Sequence, residues 1–323
     1  MRVVVIGGSG HIGSFLVPRL VRLGHQLVNI SRGQRASYVE DPAWREVEHV
    51  TADRTAEDAD GTFPARVARL EADVVVDLIG FTLESETALV DGLRGMTGHL
   101  LYCGSTWRHG PSQRVPIRED DPTPALGDYG AAKAATAAML KAETASGGLD
   151  ATSLHPGHIV GPGWHPIGPL GNADPSVWWK LSAGEPLPIP GIGTDFMHHV
   201  HADDVAQGFE LALTNREAAA GEDFNLVAPS ALNVRGYATV AASWFGRSAD
   251  LRSVTWDEFR RTTSQEFHDS SWNHLVRDHY FSIDKARTML GYNPGHEPEA
   301  AILEAVRWLI ENDRLHVATP LTV

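Results

Sequence analysis

Cysteine is nearly absent from this 323-residue chain, where Cys103 is the only one. A single thiol excludes an intrachain disulfide and any zinc site built on several thiolates, and it fits a reducing compartment, so the cytoplasm is the expected location. Lysine is almost as scarce: Lys133, Lys141, Lys180 and Lys285 are the four lysines among 27 basic residues, set against 41 acidic ones for a formal net charge of -14. No basic stripe exists to neutralise a phosphate backbone, so nucleic acid is not an expected partner. Long hydrophobic runs are missing too. The opening Met1 to Ile6 leads straight into glycines, too short an apolar stretch for a signal peptide, and no later segment approaches the roughly 20 apolar residues of a membrane span. Neither export nor membrane insertion is expected.

What is present is ordinary globular composition, 42% hydrophobic and 21% charged, in a chain long enough for one large α/β unit with a smaller appendage. Short β-branched runs at Val3 to Ile6, Leu27 to Ile30, Val74 to Leu78 and His99 to Cys103 read as strands. Ile12 to Leu23 and Ala131 to Thr144 read as helices between strands. The strands are apolar on both faces, which predicts a Rossmann-type doubly wound parallel sheet. From about Gly163 the composition shifts to Gly, Pro and Trp, the signature of loops over a site mouth. The expected organisation is a dinucleotide-binding domain over 1–162, with the chain rejoining the sheet over about 195–248, and a smaller, interleaved substrate-binding part over 163–194 and 249–323 that ends in an amphipathic helix from Pro298 to Asn312.

Gly7-Gly-Ser-Gly10-His11-Ile12-Gly13 follows the first strand and opens the first helix. Glycine is required where the chain turns sharply, where backbone approaches a pyrophosphate and where helix packs on strand, and a helix N-terminus presents N–H groups to phosphate. The loop is therefore a candidate cofactor cradle. At the end of the second strand, where an NAD-preferring site holds the ribose with an acid, stand Ser31 and Arg32. A guanidinium suits a 2′-phosphate, so the cofactor is NAD(P) with NADP preferred. Asp53 and Arg54, after the third strand, are candidate adenine contacts.

Tyr129-Gly-Ala-Ala-Lys133 is the strongest single signal. A phenol is a poor base at neutral pH, but an ammonium one helical turn away favours the phenolate and makes the pair a usable proton shuttle. Ser105, at the end of the fifth strand, is the hydroxyl expected to hold the substrate oxygen, with Thr106 and Trp107 beside it as candidate substrate contacts.

In this combination the chain resembles the extended short-chain dehydrogenase/reductases, also called the NAD-dependent epimerase/dehydratase family, over essentially its whole length. The resemblance rests on Gly7/Gly10/Gly13, Ser105 before Gly110, Tyr129/Lys133, Pro156-Gly157, the Val200 to Val205 segment, and Phe281 to Arg287 followed by Leu290-Gly-Tyr. It implies that Pro156 and Gly157 lie near the nicotinamide, that Lys133 also holds the nicotinamide ribose, and that the Tyr129 helix and the region before it build a homodimer. Two departures bear on the reaction. Dehydratases of the family place an acidic pair after the catalytic hydroxyl, whereas Trp107 and Arg108 follow Thr106 here, which disfavours dehydration. Nucleotide-sugar members carry an arginine and an asparagine where this chain has Met197 and His158.

Sixteen histidines raise the question of a metal. Strand alternation puts His199 and His201 on one face, but spacing identifies no third ligand, so no metal is expected. Histidines hydrogen-bonding a polar substrate, with His158 and His199 as the candidates, or simply filling half-buried positions, are the preferred readings, and Trp164 is a candidate platform for a sugar ring. The function expected is NAD(P)-dependent oxidoreduction or epimerisation by hydride transfer at a secondary alcohol or ketone of a sugar or sugar-nucleotide. The alternatives are a ketoreductase of a small non-sugar carbonyl compound, or a non-catalytic dinucleotide-sensing or RNA-associated protein on the same scaffold.

Overall fold

The computed structural model describes residues 1–323. Seven parallel strands form the central sheet: β1 (Arg2–Ile6), β2 (Gln26–Ser31), β3 (Glu48–Thr51), β4 (Val74–Asp77), β5 (His99–Cys103), β6 (Asp150–Pro156) and, after β7 (His158–Val160), β8 (Leu187–Pro190), β9 (Phe196–Met197) and β10 (His199–His201), the strand β11 (Asp223–Leu226). Their spatial order is β11-β6-β5-β4-β1-β2-β3.

Strand side chains alternate between two apolar layers. Val3 and Val5 join one buried cluster, with α1 (Gly13–Arg22) and later helices, while Val4 and Ile6 join the other. That second layer takes Phe63 and Val67 from α3 (Phe63–Ala68, after α2, Arg54–Ala59), Leu89, Val90 and Leu93 from α4 (Leu83–Leu93), and Leu140 from α5 (Gly127–Ala145). Burial on both faces is the reason the strands read as continuous apolar runs.

β6 is the strand that the sequence pattern does not mark, because Thr152, Ser153 and His155 interrupt its apolar run. All three are buried; the Thr152 hydroxyl donates to the Ala219 carbonyl (2.7 Å) and meets His99 Nε2 (2.9 Å), and His155 meets Arg108 (2.8 Å). Polar pattern and burial disagree wherever side-chain hydrogen bonds satisfy the strand.

A third apolar cluster gathers the second half of the chain. It packs α6 (Pro175–Ala183), α9 (Val234–Ser243, after α7, Ala202–Thr214, and α8, Arg216–Ala219) and α13 (Pro298–Glu311, after α10, Trp256–Phe259, α11, Gln265–Leu275, and α12, Asp284–Leu290) around β8, which pairs in parallel with β13 (Leu251–Val254). Between 195 and 248 only β11 enters the central sheet. β10 pairs instead with β7, β9 pairs with β12 (Leu232–Asn233), and α9 belongs to the third cluster. The expected return to the sheet is thus confined to four residues. No helix is long and apolar enough to cross a membrane.

Burial lowers the imidazoles of His99, His155 and His199 from 6.5 to about 4, and that of His198 to about 3. Their folded-state values lie below the unfolded ones, so the unfolded chain binds more protons as pH falls, and the stability they contribute is present above about 6.5 and lost toward about 4. His296 has the opposite sign, raised by its hydrogen bond to Asp204, and partly offsets them. The urea midpoint is expected to fall between about pH 7 and about pH 5 at constant slope; an unchanged midpoint would show that these rings are not held neutral by the fold.

Candidate active site

The sheet order reverses between β1 and β4: the chain moves outward through β2 and β3 on one side and through β5, β6 and β11 on the other. Open α/β sheets bind ligands at this point, beyond the carboxyl ends of the strands. A cleft of about 700 Å³ lies there.

One wall is the glycine loop. Gly7 adopts φ +83°, which a side chain resists, and a Cβ on Gly13 would stand 2.1 Å from the Gly8 carbonyl oxygen. The loop is held from below by Asn29 of β2, buried, whose amide donates to Ser9 Oγ (3.0 Å). Sequence reasoning missed Asn29; its signal is a lone amide in an apolar strand. Helix α1 begins after Ile12, with no side-chain cap and no acidic residue in its first turn, which leaves its positive end to a phosphate. His11, also in the cleft wall, stacks on the indole of Trp164 with ring centres 5.1 Å apart. The donor set and the bare backbone fit a dinucleotide pyrophosphate.

Ser31, Arg32, Asp53 and Arg54 all reach the cleft wall beyond β2 and β3. Their roles divide. Asp53 caps α2 through Ala56 N–H, and Arg54 is drawn into a buried ion cluster, 3.0 Å from Glu86 and in contact with Asp77, with Ser85 also accepting (2.9 Å). Arg54 thus stands in the cleft wall with its guanidinium already engaged by carboxylates. Burial, with Asp77 beside it, pushes the Glu86 carboxyl well above its usual range. Arg54→Met would leave the Asp77 charge buried and unpaired, at a cost of about 3–5 kcal/mol in stability. Thermal unfolding reads this directly, and an unchanged Tm would show that the cluster contributes nothing.

The opposite wall holds the candidate catalytic residues Ser105, Tyr129 and Lys133. Ser105 follows β5 and its Oγ accepts the Trp107 N–H (3.2 Å), which fixes the hydroxyl at the start of a short turn. Tyr129 sits in the first turn of α5. Partial removal from water pushes its phenol up and Ser105 opposes this, while the residue stays 44% exposed. Lys133, one turn later and buried, donates to the carbonyls of Gly80 (2.7 Å) and Cys103 (2.8 Å), with Nζ 5.8 Å from the Tyr129 ring centre. The Lys133 ammonium is tied to backbone on one side and faces the Tyr129 ring on the other. One ammonium hydrogen is left over, since two of three are used.

Pro156, Gly157, His158 and Trp164 line the same cleft, as do Ser105, Tyr129 and Lys133. A Cβ on Gly157 would meet the His198 carbonyl oxygen at 2.3 Å, so the turn closes tightly against the neighbouring strand. Thr106, Trp107 and His199 are not in the wall, contrary to expectation. Thr106 is buried in the turn, Trp107 is sandwiched between Tyr129 and the Arg277 guanidinium (3.8 Å from its centre), and His199 lies behind His158, donating Nε2–H to the Ile167 carbonyl (3.0 Å). Arg108 turns into the sheet, where it meets His155 (2.8 Å) and Asp223 (3.1 Å) and pins the Ser105 turn to β6 and β11.

Residues 3–226 match the sequence profile described as the NAD dependent epimerase/dehydratase family. The chain belongs to that family. Among similar proteins, UDP-glucose 4-epimerase of Mycolicibacterium smegmatis is 27% identical over 96% of this chain and 98% of its own length. The chloroplast stem-loop binding protein of 41 kDa b from Arabidopsis thaliana is 26% identical over 91% and 75%, and 2′-dehydrokanamycin reductase of Streptomyces kanamyceticus is 28% identical over 68% and 59%. Among solved structures, UDP-glucuronic acid 4-epimerase from Bacillus cereus superposes with a TM-score of 0.73 at 16% identity, covering 97% of this chain and 100% of that one, a likeness of fold.

The third metal ligand that spacing did not identify has a candidate in space: His201, His296 and Glu304 bring ligand atoms within 4.8 Å of one another. The tautomer argues against coordination. His201 Nδ1 accepts the Asp203 N–H (3.0 Å), so Nε2 carries the hydrogen, and it faces Glu304 at 3.1 Å. The His201 ring is instead stacked on His296, which is hydrogen-bonded to Asp204 (3.0 Å).

Proposed function

We propose that this family member catalyses reversible hydride transfer between a nicotinamide dinucleotide and a secondary alcohol or ketone carbon of a sugar-like small molecule. The observation that carries this reading is the meeting of Ser105, Tyr129 and Lys133 in one cleft wall, facing the Gly7–Gly13 loop. The dinucleotide would supply the hydride exchange and, when oxidised, a positive ring charge that favours the phenolate. Ser105 orients the substrate oxygen, and Tyr129 gives it a proton in reduction or takes one in oxidation. The free hydrogen of Lys133 is available to the nicotinamide ribose, and Pro156-Gly157 shapes the nicotinamide end.

Epimerisation and reduction share this apparatus and differ in whether the cofactor is recycled in place. Dehydration lacks its acid, because Arg108 replaces a carboxylate in the turn and is engaged with Asp223. A nucleic-acid-binding role is opposed by the net charge of -14. By the same reading two copies pair through α5, whose outward face carries the exposed small residues Ala131, Ala135 and Ala138.

The freshly purified protein, denatured and analysed by mass spectrometry, is expected to release or afterwards bind a nicotinamide dinucleotide. Retained stoichiometric NAD would support recycling, exchangeable NADPH would support reduction, and binding of neither would remove the enzyme reading. Tyr129→Phe is expected to lower kcat by about 10²-fold or more without altering dinucleotide affinity; full turnover would take Tyr129 out of the mechanism.

NADP is the preferred form, because Arg32 and Arg35 stand at the adenosine end of the cleft with no acid in the ribose position. Arg32→Ala should weaken NADPH by about tenfold, the loss of one charge-assisted contact, and leave NADH unchanged. Equal effects on both would place Arg32 away from the phosphate.

A further inference from the structure

We infer that Glu86 is a positioning residue for Lys133, acting through the carbonyl of Gly80. This deepens the hydride-transfer reading and rests on it.

The two carbonyls that hold the Lys133 ammonium are fixed in different ways. Cys103 closes β5, and its pairing with Leu154 of β6 sets its carbonyl through the sheet. Gly80 lies three residues beyond β4, outside the ladder, and its carbonyl still accepts from Nζ at 2.7 Å. What holds Gly80 is the ion cluster behind it. Asp77 Oδ1 accepts the Ile79 N–H (2.8 Å), which ties down the start of the segment. Glu86, in the first turn of α4, then packs so closely behind Gly80 that a Cβ there would stand 2.4 Å from its Oε2. The Tyr102 ring closes the other side, 3.0 Å from the same point. Glu86 Oε2 accepts from Arg54 Nη2 (3.0 Å), and Arg54 is in contact with Asp77, so the segment rests on three mutually paired side chains drawn from α2, β4 and α4.

Stability alone does not account for this cluster, because a buried ion group rarely outdoes well-packed apolar side chains of the same volume. Its distinctive product is geometry. Leu78, Ile79 and Phe81 face the cleft while Gly80 is buried toward the ammonium. Ile79 also packs on the glycine loop, where a Cβ on Gly7 would stand 2.7 Å from its Cγ2. With two ammonium hydrogens directed to fixed acceptors, the third has a defined direction. Release of the Gly80 carbonyl would leave the ammonium turning about its contact with Cys103. Burial and Asp77 push Glu86 toward its neutral form. The contact therefore needs side-chain length and an acceptor for Arg54, both of which glutamine supplies.

The test is a double-mutant cycle read by fluorescence titration with NADPH and NADH. Lys133→Met is expected to weaken the dinucleotide about tenfold and Glu86→Leu about fivefold. The double variant should bind no more weakly than Lys133→Met alone, because Glu86 acts through the ammonium. Glu86→Gln should bind within about twofold of the unaltered protein. Gly80→Ala forces Gly80 and Glu86 apart without removing a charge; it should reproduce Glu86→Leu, and it carries the test if that variant does not fold. The inference is overturned by losses that add in the double variant, as a merely structural role would give. It is equally overturned by Glu86→Gln binding as weakly as Glu86→Leu, or by full affinity in Glu86→Leu and Gly80→Ala. Undiminished affinity in Lys133→Met, or no dinucleotide binding by the unaltered protein, would instead fault the hydride-transfer reading itself, and this inference with it.

Discussion

The reversal of strand order between β1 and β4 is the constraint on which everything else here depends. Two neighbouring parallel strands whose following connections run to opposite faces must leave a gap at their carboxyl ends. The glycine loop enters that gap from β1, and the Ser105 turn and α5 border it from β5. Neither wall would be useful without the other, and both are placed by the sheet rather than by contacts between themselves. The close fit of Gly13 against the Gly8 carbonyl shows how little room the backbone has there: a single methyl group would have to displace main chain.

Lys133 shows how a charged group is kept inside such a wall. It is among the largest fully buried side chains, and an ammonium taken from water without partners would be lost to deprotonation. Burial does lower it, but two carbonyls and the faces of Tyr102 and Phe81 surround the charge. The ion cluster of Arg54 solves the same problem differently, by allowing one of its two buried carboxyls, Glu86, to be pushed toward its neutral form. Both arrangements keep a polar framework rigid beside the cleft while leaving few groups free to take a ligand, and that scarcity makes the remaining free groups informative.

Much of this was legible in the sequence because the relevant signals are local. Apolar strand runs, the glycine spacing and Tyr129/Lys133 depend on residues that act within one or two turns of each other, so spacing reports geometry. The illegible parts are those in which a residue's role is decided by distant partners. Arg54 reads as a cofactor contact, with nothing local to show that Asp77 and Glu86, 23 and 32 positions away, engage its guanidinium. Trp107 and His199 carry the right chemistry for a substrate wall, but Arg277 and Ile167, more than thirty positions distant in each case, hold them behind it. β6 escapes notice because its polar side chains are satisfied by α8 and by the Ser105 turn, a compensation that periodicity cannot express.

The division of labour within the cleft follows from which core each wall belongs to. Ser105, Tyr129 and Lys133 stand on β5 and α5, whose packing is that of the central sheet, while His158 stands on β7, which pairs with β10 and is backed by residues of α11. Trp164, His165 and Ile167 follow on the loop leading to the third apolar cluster. A substitution in that half can reshape what the cleft admits without moving Ser105, Tyr129 and Lys133, because no strand of the central sheet has to shift. The family's shared apparatus and this chain's departures from it, at Met197 and His158, are therefore separable in physical terms: the first is fixed by the sheet, and the second by side chains that the sheet does not constrain. Reaction type and substrate choice can then vary independently on one scaffold, as the differing names of relatives at 26–28% identity illustrate.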